Sequence, residues 1–220
     1  MPEKYIELSS LLLSGNQEEA WKLLSDVKNS GQESLYIYEE LVAKAMGHIG
    51  YLWEKNEVTV ADEHLATSTC EFILARYQWE KLKEQEILPK NQKAMFLCLQ
   101  HEQHHLGLKM ACNLFEESGW ETRFMGPNLP LEYATTAAKE WKPDVISLSF
   151  SIIYHAEQLR EYIEELESLP NNPIVIVGGR LISQYSFASH TSERTVLISS
   201  LTETQNWINH YPQGVETSVS

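Results

Sequence analysis

The sequence is poor in positive charge, in cysteine and in long apolar runs. Its 17 Lys and Arg face 31 Asp and Glu, a formal net charge of −14. A chain this acidic repels a phosphate backbone, and no basic stripe or helix-turn-helix pattern offsets it, so direct binding of DNA or RNA is not expected. No run of about 18 apolar residues occurs, which argues against a membrane span. The opening stretch MPEKYIELSS lacks the basic and apolar segments of a signal peptide. Cys70, Cys98 and Cys112 stand alone inside apolar segments. They form no CxxC pair and leave an odd thiol, which reads as reduced core cysteines in a cytoplasmic protein.

What is present is 43% apolar residue content over 220 residues, enough for one large domain or two small ones. The hydrophobic period changes along the chain. Residues 1–88 read as helices. EEAWKLLSDVKNSG has apolar residues three and four apart and stops at Gly31. A longer helix over about 33–55 carries Leu41, Val42, Met46, Ile49 and Leu52 on one stripe. Another runs from about Val60 to Glu86, closed by Pro89. About four helices, a small bundle, are expected.

Beyond Pro89 short apolar runs alternate with amphipathic segments. AMFLCL (94–99), TRFMG (122–126), VISLSF (145–150), IVIVGG (174–179) and TVLIS (195–199) read as strands. Helical patterns lie between the first four: HHLGLKMACNLFEESG, LEYATTAAKEW and AEQLREYIEELESL. A repeating β-α pattern builds a doubly wound parallel five-stranded sheet of the flavodoxin or Rossmann kind over residues 89–212. The tail 213–220 reads as disordered. Ligands of such sheets bind at the carboxyl ends of the strands, at the switch in strand order.

LCLQHEQHHLGLKM (97–110) places His101, Glu102, His104 and His105 at that end of the first strand. On residues alone several readings stay open. The histidines could be a solvated loop. They could hold zinc, but zinc needs three or four converging ligands, and no distant pair is evident. They could form a catalytic pair, but no nucleophile motif accompanies them. They could also supply one axial ligand to a cofactor metal. E-x-H-x-x-G, Glu102 to Gly107, suits that role. A ligating imidazole needs a partner on its second nitrogen, and a carboxylate two residues earlier can provide it. Gly107 would let a bulky ligand approach the backbone. Ser149-Phe150-Ser151 and Gly178-Gly179 end the third and fourth strands. Small residues there leave a slot beside the sheet, although Gly178-Gly179 also reads as a simple turn.

The ordered set resembles the cobalamin-binding domain shared by methionine synthase, corrinoid methyltransfer proteins and CarH-type photoreceptors, whose pattern is D/E-x-H-x-x-G, S-x-L/S/T and GG. The resemblance implies that His104 is the lower axial ligand to cobalt. It also implies that the cofactor's benzimidazole tail lies in a slot by Ser149, Ser151, Gly178 and Gly179. Trp53, nine residues on, and Glu63-His64 are similar to the W-x9-E-H cap signature of the photoreceptor branch, where a helical cap covers the adenosyl group. On residues alone Trp53 could instead be a core aromatic, and Glu63 an acid in a first helical turn. The resemblance covers about residues 35–200.

It implies a cap over a cobalamin site, with adenosyl-, methyl- or hydroxocobalamin bound, and the sequence leaves open a second chromophore such as a bilin. It further implies a sensor rather than an enzyme, signalling through a protein partner or a homodimer. The corrinoid carrier of a methyltransferase system is the alternative. One departure is Glu54, in LWEKNE, where the photoreceptors have a histidine after the cap Trp.

Overall fold

The computed structural model describes residues 3–151, 156–187 and 189–211. The tail from residue 213, expected to be disordered, lies outside the described residues.

The first part is helical. α1 (Lys4–Leu13) and α2 (Gln17–Asn29) are followed by α3 (Ser34–Tyr36), a π-helical stretch (Ile37–Ala43) and α4 (Lys44–Glu54), which run on as one segment. α5 (Val60–Glu84) begins at a capping box. Thr59 Oγ1 accepts the Asp62 N–H while the Asp62 carboxylate accepts the Thr59 N–H. This satisfies donors that a helix start leaves open and favours acids in the first turn. Lys55 to Thr59 make the turn before α5, with Asn56 at φ 59°. Leu8, Leu12, Leu24, Leu41, Ile49, Ile73 and Leu74 are buried between these helices. α1 was not singled out by the sequence, because its apolar residues cluster at the end of a short segment.

The second part runs β1 (Lys93–Cys98), α6 (Leu106–Glu117), β2 (Glu121–Gly126), α7 (Leu131–Trp141), β3 (Val145–Ser149), α8 (Ala156–Glu167), β4 (Ile174–Gly178), a 3-10 turn (Arg180–Ser183), β5 (Val196–Ile198) and α9 (Leu201–His210). All strands are parallel, in the order β2-β1-β3-β4-β5. This is the doubly wound arrangement that the alternation of patterns predicts. The central strands β1, β3 and β4 are apolar on both faces because both faces are covered, whereas the edge strand β2 alternates with exposed positions. Ala94, Phe96 and Cys98 pack toward α6 and α9, whereas Met95, Leu97 and Leu99 pack toward α7 and α8. α9 is absent from the sequence reading. LTETQNWINH has few apolar residues, yet Trp207 packs at a tilt against Phe115 and Trp120 and so anchors it.

The helical part joins the sheet through α6. Its buried residues are continuous with the core on the α6 face. Polar groups pair across the seam: Tyr38 Oη lies 2.9 Å from Glu117 Oε1, and Asn113 Nδ2 donates to Tyr38 Oη at 3.2 Å, while the buried Asn113 Oδ1 has no hydrogen-bond partner among the described residues. Burial pushes the Glu117 carboxyl up and the Tyr38 hydroxyl well up. No helix of the described residues is long and apolar enough to cross a membrane.

Candidate functional site

The strand order reverses between β1 and β3, so the loops after these strands diverge and open a crevice. Both carry site residues. After Cys98 the chain turns, with the Glu102 N–H donating to the Leu99 carbonyl at 3.0 Å and His101 at φ 70°. Asn128, beyond β2, pins this turn from the side. Its Oδ1 accepts the His101 N–H at 2.8 Å, and its N–H donates to the Glu102 carbonyl at 2.9 Å.

The pinned turn drives Glu102 inward and His104 outward. The Glu102 side chain is fully buried, whereas that of His104 is 65% exposed. Oε1 of Glu102 accepts the His104 backbone N–H at 2.8 Å and lies 2.6 Å from His104 Nδ1. Oε2 accepts the N–H and Oγ–H of Ser151, the latter at 2.8 Å. Ser151 Oγ also lies 2.8 Å from His104 Nδ1. A carboxylate at Nδ1 fixes the tautomer with hydrogen there, so Nε2 carries its lone pair outward into the crevice. Burial would push the Glu102 carboxyl up, but the hydrogen bonds from His104 and Ser151 outweigh it and hold the group at about 2. The Glu102 hydrogen bond in turn raises the His104 pKa above its ordinary value; burial opposes this, and the charge of Glu63 adds to it.

His101 and His105 do not join this cluster. His101 spends its backbone N–H on Asn128. His105 Nε2 lies 2.5 Å from Glu71 Oε1 and so ties the loop to α5. Among the described residues no group of three His, Cys, Asp or Glu side chains could hold a metal ion, so the zinc reading lacks its ligands.

Beside the crevice lies a cavity of about 370 Å³, lined among others by Gly107, Ser149, Gly178 and Gly179. Cys98, Ser149, Gly178 and Ile198 stand side by side in register across four strands. The small members of that row leave room at the carboxyl end. The glycines differ in what they need. A Cβ on Gly107 would meet nothing within 4 Å, and one on Gly178 would make only ordinary contacts at 3.9 Å. Their lack of a side chain keeps the cavity open. Gly179 is required by the backbone itself, with φ 142° and a Cβ only 2.8 Å from the Phe150 carbonyl. Ser151 is placed with Glu102 and His104 rather than along the cavity. Its place is taken by Ser147, buried on β3 and two residues before Ser149 on the same face. The alternation Ser147, Ser149, Ser151 carried that signal in the sequence.

The cap residues flank the turn between α4 and α5, Trp53 near the end of α4 and Glu63 and His64 near the start of α5. Trp53 is 50% exposed and His64 is exposed, while Glu63 accepts the Thr67 hydroxyl at 2.9 Å. His48 packs instead between Tyr5 and Tyr51, and Glu54 is exposed at the end of α4.

A doubly wound sheet with a carboxylate-backed imidazole open at its switch point, and a slot beside it, defines a cofactor-binding protein. Comparison with known proteins identifies the cofactor. Family models described as B12 binding domains match residues 92–192 and residues 7–78. The HTH-type transcriptional repressor CarH of Myxococcus xanthus is 27% identical over 146 residues, 66% of this chain and 47% of that protein. This chain thus spans about half the length of that relative. The Methanosarcina barkeri monomethylamine corrinoid protein shares the fold, with a TM-score of 0.74 over 93% of this chain and 96% of that one at 14% identity. The chain is a cobalamin-binding module, and cobalamin is its cofactor. The residues fit the group: an open imidazole nitrogen suits cobalt, and the slot has room for an aromatic base and its sugar.

Proposed function

We propose that this module is a cobalamin-dependent sensor of light or of cobalamin itself. It holds the corrinoid base-off, with His104 Nε2 as the lower axial ligand and the nucleotide tail in the slot lined by Gly107, Ser149 and Gly178. Glu102 and Ser151 orient the ligating ring. Trp53, Glu63 and His64 face the upper ligand from the cap. The observation that carries the reading is that cap and ligand loop are physically joined: α5 reaches His105 through Glu71, and Glu63 on its first turn bears electrostatically on His104. A ligand that contacts both parts in one arrangement shifts the population toward that arrangement. Bound adenosylcobalamin would supply a cobalt–carbon bond weak enough for light to break. Loss of the upper ligand would then free the cap residues, and the change would pass to a protein partner or a second copy of the chain.

The test is to load the protein with adenosylcobalamin in the dark, illuminate it, and follow absorption together with mass and hydrodynamic radius. The sensor reading expects a change of size or assembly that tracks the spectral change. Photolysis with unchanged size and assembly would contradict light sensing, and an unchanged size and assembly on loading as well would contradict the sensor reading altogether. Methyl transfer to the reduced, loaded protein would then favour the corrinoid-carrier reading.

A further inference from the structure

We infer that Arg180 takes the phosphodiester of the cobalamin nucleotide loop, so that the site selects complete cobalamin over corrinoids that lack the tail. This rests on the proposed placement of cobalamin at His104 and the slot.

Three observations converge on Arg180. First, among the described residues lining the slot, it alone is a cation. Second, the acids at the slot are engaged elsewhere. Glu39 accepts the N–H and hydroxyl of Thr202 at 2.8 and 2.7 Å, and Glu40 pairs with Lys44. Arg180 itself forms no ion pair among the described residues. Third, its position is fixed by the backbone. It follows Gly179, whose N–H donates to the Ile198 carbonyl at 3.3 Å, and it opens the turn in which Ser183 Oγ donates back to the Arg180 carbonyl at 2.9 Å. Arg180 therefore stands on the wall of the slot, just past the carboxyl end of β4.

The chemistry of the ligand supplies the rest. In base-off cobalamin the tail leaves the corrin, passes a phosphodiester and a ribose, and ends in the base. With the corrin over His104 and the base in the slot, the single anion of the tail must cross the space between them. An anion entering a protein of net charge −14 needs a local cation to offset repulsion and lost hydration. A guanidinium presents a planar fork of donors to two phosphate oxygens, which an ammonium cannot match. An arginine that was only a solvated surface group would not distinguish corrinoids by their tails.

The experiment compares hydroxocobalamin with cobinamide, the corrinoid without phosphate and base, by equilibrium absorbance titration of the full chain. Wild type, Arg180→Gln and Arg180→Lys are measured at two salt concentrations. Arg180→Gln should weaken hydroxocobalamin roughly tenfold or more, the scale of a lost charge-assisted hydrogen bond. It should leave cobinamide unchanged and reduce the salt dependence of hydroxocobalamin binding. Arg180→Lys should fall between. Equal losses for both corrinoids, or no loss for either, would overturn the inference while leaving the proposed site standing. Wild-type protein that bound neither corrinoid would overturn both.

Discussion

Replacing Glu102 with Gln tests the device that aims His104. The carboxyl group ordinarily titrates at 4.5 and is held at about 2 here, which corresponds to roughly 3 kcal/mol favouring the folded, charged form at 1.36 kcal/mol per pH unit. Because the folded value lies below the unfolded one, this stability is fully present above about pH 4.5 and is lost as pH falls through about 2. His104 runs the other way. Its folded pKa is raised, so its contribution is complete below 6.5 and is lost as pH rises through the folded value. The two describe one interaction and are not added. Glutamine keeps the shape but turns an amide N–H2 toward either the donors of His104 or those of Ser151, leaving buried donors opposed. Glu102→Gln should therefore cost about 3 kcal/mol at pH 7, with the gap to wild type closing as pH falls toward 2. Urea unfolding of the cofactor-free protein across pH measures this. In the same variant the His104 pKa, followed by NMR, should fall back toward its ordinary value, and hydroxocobalamin should bind about 10- to 100-fold more weakly. A gap under about 1 kcal/mol at pH 7, with the His104 titration unmoved, would refute the reasoning.

Gly107→Leu should fill the slot and weaken cobalamin about 10- to 100-fold while leaving thermal stability near wild type, because a Cβ there meets nothing within 4 Å. Gly179→Ala should instead destabilise the fold by about 1–3 kcal/mol, since its Cβ would stand 2.8 Å from the Phe150 carbonyl; urea unfolding separates the two. Photolysis of the adenosylcobalamin-loaded protein should leave no stable second histidine on cobalt, because Glu54 offers a hard carboxylate where an imidazole would bind well. The denaturation-resistant spectrum of such an adduct should appear in Glu54→His, and its presence in wild type would refute the argument.

Much of the architecture is legible because local pattern and tertiary environment agree. β1, β3 and β4 sit where continuous apolar runs fall, since strands buried on both faces of a parallel sheet need them. α5 starts at the expected Val60, under the local capping box of Thr59 and Asp62, and ends at Glu84, two residues before the expected Glu86. What stayed hidden depends on distance in sequence. The bond between His105 and Glu71 spans 34 residues, and nothing near either residue announces it. Ser151 sits two residues beyond β3, where alternation ends, so its turn toward Glu102 follows from the loop rather than the strand. α9 is held by aromatic contacts of Trp207 with Phe115 and Trp120 and of Tyr211 with Trp120 rather than by an apolar stripe. Arg180 reads as one more surface arginine until the fold sets it on the wall of the slot.

The central claim is that His104 and not the cofactor's own base is bound to cobalt, and electron paramagnetic resonance of the bound cob(II)alamin tests it directly. One axial 14N nucleus splits each cobalt line into three, and one 15N nucleus splits it into two. Protein labelled with 15N-histidine and loaded with unlabelled cobalamin should show doublets, and His104→Ala should lose them. Triplets in the labelled protein would mean that benzimidazole remains on cobalt and would contradict the account; doublets that survive in His104→Ala would mean that another histidine holds the metal.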